Sequence, residues 1–218
     1  SGKSTIAGAL TGLVAPRAGT ATLAGADVLR ASRRDRRRIA MVFQDPFASL
    51  DPRRSVGDAI AEPLRVHRLV PGGGRGREKR VAELLDLVGL PGAFATRFPH
   101  ELSGGQRQRI SIARALALEP ELIILDEATA SLDVSVQAHV LELLRRLQCE
   151  QDLTYLFIAH DLAIVQEMSH AVVVLKEGKA VEAAPSAELF ANPREEYTRR
   201  LLEAVPPEVP RAARTGEV

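Results

Sequence analysis

A single cysteine, Cys149, stands among the 218 residues. One thiol closes no disulfide framework within the chain and builds no cysteine-rich metal site. Charge of one sign is lacking too. Lys and Arg number 29 and Asp and Glu 28, a formal net charge of +1, so overall charge gives the chain no reason to bind a polyanion. No apolar run approaches the roughly 20 residues that cross a bilayer as a helix. If the protein works at a membrane, another chain is expected to anchor it. Hydrophobic residues make up 45% and charged residues 26%, an ordinary globular balance at a length that suits one or two domains.

What is present is concentrated between Leu102 and Asp133, LSGGQRQRISIARALALEPELIILDEATASLD. In its first half Ser103, Gly104, Gly105 and Gln106 precede a run of helical character. Glycines let backbone N–H groups approach a ligand closely, and a helix start behind them offers unsatisfied N–H groups that suit a phosphate. In its second half Leu122–Leu125 is an apolar run of the kind found in strands buried on both faces, with Asp126 and Glu127 at its end. Open parallel sheets place their ligands at that end. Taken alone, a Ser-Gly-Gly is more often a turn and an Asp-Glu a solvated loop. Both at this spacing, with Ser-Gly-Lys-Ser-Thr at residues 1–5, point together to phosphate chemistry.

These motifs resemble the ATP-binding subunits of ABC transporters. LSGGQ matches that family's signature and LIILDE its Walker B strand. Ser1, Gly2, Lys3, Ser4 and Thr5 form the back half of a P-loop, in which Lys3 reaches the β- and γ-phosphates and the Ser4 hydroxyl ligates Mg²⁺. A P-loop follows a strand, and relatives carry an adenine-stacking aromatic residue upstream, so the sequence reads as an N-terminally truncated piece. The resemblance further implies that Gln44 is the Q-loop glutamine in the Mg²⁺ shell, Asp126 a holder of that ion, Glu127 the general base, and His160 the switch histidine at the γ-phosphate. Asp133, a natural helix N-cap, corresponds to the D-loop aspartate that touches the opposite subunit. QDPFASLDPR (44–53) and NPREEYTRRLLEAVP (192–206) are similar to segments of peptide and nickel importers. Some relatives hold an iron–sulfur cluster in that C-terminal stretch, which one cysteine cannot do.

Along the rest of the chain, 20–26 is expected to be a short strand, 39–43 and 154–158 buried strands, and 56–67 a helix bent or ended near Pro63. Residues 71–76 (PGGGRG) are expected to be a loop by composition, with a helix following on Val81, Leu84, Leu85 and Val88 and stopping at Gly89. Residues 134–148 carry a helical apolar stripe. Residues 171–175 and 179–183 should pair as a hairpin, with 186–190 a short helix or turn and 197–205 a last helix. Arg30–Arg38 is dense in arginine. A nucleic-acid patch competes there with a solvated basic face, and without interleaved aromatics the latter is favoured.

The fold implied is α/β, a P-loop NTPase-type parallel sheet with an inserted helical signature subdomain, a small β portion and its first strand missing. Residues 1–205 would form one nucleotide-binding domain. Its RecA-like core would be 1–46 and 118–185, its helical subdomain 47–117, its C-terminal helical extension 186–205, and 206–218 a disordered tail. The function implied is that of an ATP-binding and hydrolysing subunit on the cytoplasmic face of a membrane, energising an importer of peptides or a related small solute. Its partners would be permease subunits, a second ATP-binding subunit packed head to tail, and indirectly an extracytoplasmic solute-binding protein, with no nucleic acid. Two alternatives stay open: a soluble ABC-type ATPase acting on nucleic acid or ribosomes, and an inactive fragment.

Overall fold

The computed structural model describes residues 2–32, 34–45 and 49–204. The chain divides into two compact units, Gly2–Asp161 and the part from Leu162 onward. In the first, helix α1 (Lys3–Thr11) leads to a small hairpin, β1 (Thr22–Leu23) and β2 (Ala26–Asp27). Residues 20–26 are therefore not one strand. Ala24 and Gly25 both take positive φ, 47° and 79°, the turn that folds two strands back on each other. A 3₁₀ turn (Asp35–Arg38) enters β3 (Ile39–Val42). Phe43, expected inside the buried strand, lies just past it and is exposed.

Three parallel strands carry the core, β3, β4 (Leu122–Asp126) and β5 (Thr154–Ile158), in the order β3-β4-β5. Ile39 aligns with Leu122 and Leu122 with Thr154. β4 is flanked on both sides, and its Ile123, Ile124 and Leu125 are buried. β5 has one neighbour among the described residues, and its Tyr155, Leu156 and Phe157 are only half-buried. Ala7 of α1, Val28, Ile39, Ile124 and Ile158 pack as one cluster. The Tyr155 hydroxyl donates to the Leu144 carbonyl at 2.9 Å, and burial pushes its ionisation upward.

Between β3 and β4 the described residues include the α-helices α2 (Val56–Val66), α3 (Gly73–Leu87) and α4 (Gly104–Leu116), packed on one another. α2 does not end at Pro63. Its buried face of Val56, Ala59, Ile60 and Leu64 holds the helix through the proline, which forfeits one backbone bond. The glycine-rich 71–76 segment is likewise only partly a loop, because α3 begins at Gly73. Glycine is a poor helix former, yet a Cβ on Gly76 would lie 2.3 Å from the Pro71 carbonyl. Here close backbone approach outweighs propensity. Gly89, at φ 69°, follows that helix as expected.

α5 (Val134–Gln151) runs three residues beyond its expected end and closes on Asp152 in the left-handed region. Of the arginine-dense stretch, Arg30 faces Asp27 at 3.9 Å and the Arg36 Nε donates to the Ala31 carbonyl. Arg38 grips both oxygens of Glu121 at 2.6 and 2.7 Å, holding that carboxyl below the usual range.

The second unit contains α6 (Leu162–Met168), a hairpin of β6 (Ala171–Lys176) and β7 (Lys179–Pro185), α7 (Ser186–Ala191) and α8 (Glu196–Glu203). Glu177 and Gly178, at φ 48° and 79°, make its tight turn. The expected tail at 206–218, Val205, and Pro46–Ala48 within the QDPFASLDPR segment lie outside the described residues.

Candidate functional site

The C-terminal ends of β4 and β5 gather the carboxylates and the histidine. α1 approaches them with its N-terminus. Gly2 caps α1 at φ 90°, a conformation that favours glycine, and contributes no side-chain bond to the cap. The cap residue thus supplies no side-chain acceptor to the first turn, and a helix start of this kind suits an anion. Ser4 in that turn points its Oγ at Asp126 Oδ1, 3.4 Å away. This is long for an O–H···O bond. Two ligands of one Mg²⁺, each at roughly 2.1 Å from the ion, stand at most about 4.2 Å apart, so the pair can share such an ion. Among the described residues no group of three or more His, Cys, Asp or Glu gathers as a self-sufficient metal site. One hydroxyl and one carboxylate suit Mg²⁺, which keeps several waters and shares substrate phosphates. Lys3 and Thr5 lie on the same helix start and Gln44 on the exposed loop after β3. Ser1 lies outside the described residues.

Glu127 follows β4 at φ 49°, a left-handed conformation that costs a non-glycine residue about 1–2 kcal/mol. Two backbone bonds hold it there. Its N–H donates to the Ile158 carbonyl at 2.8 Å, and its carbonyl accepts from Ala130 at 3.0 Å. The twist presents Glu127 Oε2 to His160 Nδ1 at 3.5 Å. Glu127 is sheltered and His160 is exposed, with side-chain exposures of 25% and 65%.

The signature lies at the start of α4. Ser103 Oγ accepts from the Gln106 N–H at 3.3 Å, and Gln106 Oε1 accepts from the Ser103 N–H at 3.0 Å, a reciprocal capping box. Gly104 and Gly105 supply the first-turn amides this box does not use. Gly105 also has a packing reason to be glycine, since a Cβ there would stand 2.4 Å from Val136 Cγ1 of α5. Asp133 caps α5, accepting from the Val136 N–H at 3.0 Å and the Ser135 hydroxyl at 2.8 Å. The Val136 amide first, then Ser135, holds its carboxyl below the usual range. The Ser-x-x-Gln spacing of the capping box was legible in the sequence. Gln108, fully buried on α4 with neither amide atom partnered among the described residues, carried no such signal.

The pattern of the ABC transporter family matches residues 1–130. The chain belongs to that family. A Brucella abortus (strain 2308) protein named for peptide import as an ATP-binding protein is 51% identical over 226 residues, covering 100% of this chain and 67% of its own length. The glutathione import ATP-binding protein GsiA of Escherichia coli (strain K12) is 49% identical over 225 residues, with 100% of this chain but 35% of GsiA covered. Among solved structures, the ATP-binding cassette MJ0796, as a post-hydrolysis dimer bound to ADP and Pi, superposes with a TM-score of 0.71 at 28% identity, over 85% of this chain and 81% of that one. This ABC ATPase is therefore an ATP hydrolase of the P-loop type, and its nucleotide is ATP, with Mg²⁺ the usual companion ion. A membrane permease and pairing with a second ATPase subunit fit the same comparisons. No helix among the described residues is long and apolar enough to cross a membrane.

Proposed function

We propose that this ABC ATPase drives a membrane importer for peptides or a related small solute, by the following division of labour. The first-turn amides of α1, with Ser1, Gly2, Lys3 and Thr5, hold the β- and γ-phosphates of ATP. Ser4, Asp126 and Gln44 are the residues that would hold Mg²⁺. When bound, Mg²⁺ neutralises charge on the phosphates. Glu127 accepts the proton of the water that attacks the γ-phosphorus as the bond to the β,γ-bridging oxygen breaks, releasing ADP and phosphate. His160, 3.5 Å from Glu127, orients the γ-phosphate. The observation that carries this reading is the convergence of the Ser4–Asp126 pair and the Glu127–His160 pair on adjacent strand ends.

Ser103, Gly104, Gly105 and Gln106 would close the phosphate site of a second ATPase subunit, packed head to tail, with Asp133 touching that subunit. One γ-phosphate has no need of two such loops from one chain. The permease would dock in a cleft of about 390 Å³ lined by Leu13, Met41, Phe43, Val66 and Leu118. Leu13, Val66 and Phe43 are exposed by 69%, 50% and 44%, an apolar surface that gains from being covered. The subunit would sit on the cytoplasmic face, and a solute-binding protein would deliver the cargo outside. The names of the relatives support the solute class.

The test is Glu127→Gln in the assembled transporter. Removing a general base costs about 10²–10⁴ in rate, so turnover should fall by that factor with ATP binding retained. Turnover at the wild-type rate would remove Glu127 from its role, and failure of the wild-type chain to co-purify with permease subunits would remove the importer reading.

A further inference from the structure

The signature helix is held at its far end as well. In the last turn of α4, Arg114 donates from Nη1 to the Ser49 carbonyl at 2.7 Å and from Nη2 to Glu62 Oε2 at 2.7 Å. Glu62, on α2, accepts at its other oxygen from Arg54 at 2.8 Å. One turn back, Ser111 Oγ meets Ser49 Oγ at 3.2 Å. Ser49 belongs to the segment that follows Gln44. A single guanidinium thus ties together the signature helix, α2 and Ser49. Its planar fork suits two bonds in different directions, and charge-assisted bonds of this length are strong. Arg114 and Glu62 are each about one-third exposed, 36% and 33%, sheltered enough to matter and open enough to be touched. Ser49, Glu62, Ser111 and Arg114 all line the same cleft as the exposed apolar side chains. The cleft therefore has an apolar wall and a polar floor made of this latch.

We propose that Arg114 is a positioning residue that latches Ser49 and Glu62 to the signature helix, so that a partner filling the cleft sets the pose of Ser103–Gln106. α4 is 13 residues, roughly 20 Å at 1.5 Å per residue, and its buried middle, Ile110, Ile112 and Ala113 at 0% exposure, makes it move as one body. A shift imposed at Arg114 reaches the signature without any intermediate having to rearrange. The identity of the partner rests on the importer reading above, whereas the latch itself does not.

The experiment compares wild type, Arg114→Gln and Arg114→Lys, each with Glu127→Gln to block hydrolysis, and reads ATP-driven dimerisation of the subunit without permease. Nucleotide affinity at the P-loop and the melting temperature are measured alongside. Arg114→Gln should raise the ATP concentration for half-dimerisation about tenfold with P-loop affinity unchanged. Arg114→Lys keeps the charge but not the fork and should raise it about threefold, which preserves the test if the glutamine variant folds poorly. In the assembled transporter with Glu127 intact, Arg114→Lys should lower kcat and leave the KM for ATP within twofold. Dimerisation at wild-type ATP concentration in both variants would overturn the latch, as would a loss explained wholly by a lowered melting temperature. A permease that fails to bind wild type would instead strike the importer reading and leave the dimerisation result to decide the latch.

Discussion

Gly105→Ala tests why the signature needs its second glycine. The added Cβ would stand 2.4 Å from Val136 Cγ1, with Val136 Cβ and Cγ2 at 3.7 and 3.9 Å. Val136 lies in the first turn of α5, where a β-branched side chain has one strongly preferred rotamer and cannot swing aside cheaply. Its backbone is pinned as well, because its N–H bonds Asp133. Overpacking of this kind costs about 1–3 kcal/mol. Against that, alanine gains up to about 1 kcal/mol over glycine in a helix, and less in a first turn. The expected net loss is about 1–2 kcal/mol, which lowers the melting temperature of a domain this size by about 2–8 °C. Thermal unfolding followed by circular dichroism reads it. The control is Val136→Ala, which removes the obstructing methyls. Gly105→Ala made in that background should cost nothing or stabilise slightly. If Gly105→Ala costs the same with and without Val136, the two sites are independent and the packing account fails. The double variant also separates two jobs of one residue. Should it regain stability but still fail to dimerise with ATP, Gly105 is needed for close approach to the partner's nucleotide and not only for packing.

Ser103→Arg removes the hydroxyl that caps α4 and should cost about 1 kcal/mol of stability. The longer side chain should also block ATP-driven dimerisation while nucleotide binding to the monomer persists, and dimers eluting normally from a sizing column with ATP would refute the shared site. The Asp133 cap makes a pH prediction. Its folded carboxyl titrates below its unfolded value, so the unfolded chain takes up the proton first. The stabilisation is complete above the ordinary carboxylate range and decays as pH falls through the lowered folded value. Wild type and Asp133→Asn should therefore differ in melting temperature at neutral pH and converge in acid, and a constant difference down to acid pH would show that the charge contributes nothing.

The sheet edge of the proposed site could be read from the sequence because it is made of contiguous motifs. Asp126 and Glu127 follow an apolar run, His160 follows another, and Lys3 opens a helix, so period and punctuation, together with the resemblance to the ABC family, point these four to one sheet edge. The capping box at Ser103 and the N-cap at Asp133 are equally local. What could not be read is set by tertiary contact. The PGGGRG segment has loop composition, but buried Val81, Leu84 and Leu85 pull its glycines into α3. Pro63 signals a helix bend or end, and the buried face of α2 carries the helix past it. Arg114, Glu62 and Ser49 are separated by 52 and 65 positions, and nothing in any one segment announces that they meet.

The left-handed twist at Glu127 bears on how the site is supported. β4 and β5 remain in register through Asp126 and Ile158, and the Glu127 N–H then takes one further bond to that same Ile158 carbonyl. The bond continues the sheet by one step while the positive φ turns the chain away from it. The backbone of the proposed base is thus fastened to the end of the strand that delivers His160. Base and histidine are carried by one support, and their separation is set by the sheet itself. The signature, by contrast, is carried by a helix that packs closely against Val136 at its start and is bonded to Ser49 and Glu62 at its far end. On the proposed division of labour, hydrolytic geometry would be fixed within the sheet, while closure across subunits would be left to an element that a partner can move. That difference in support, more than any single residue, is what would let nucleotide chemistry and partner docking be separate events in one chain.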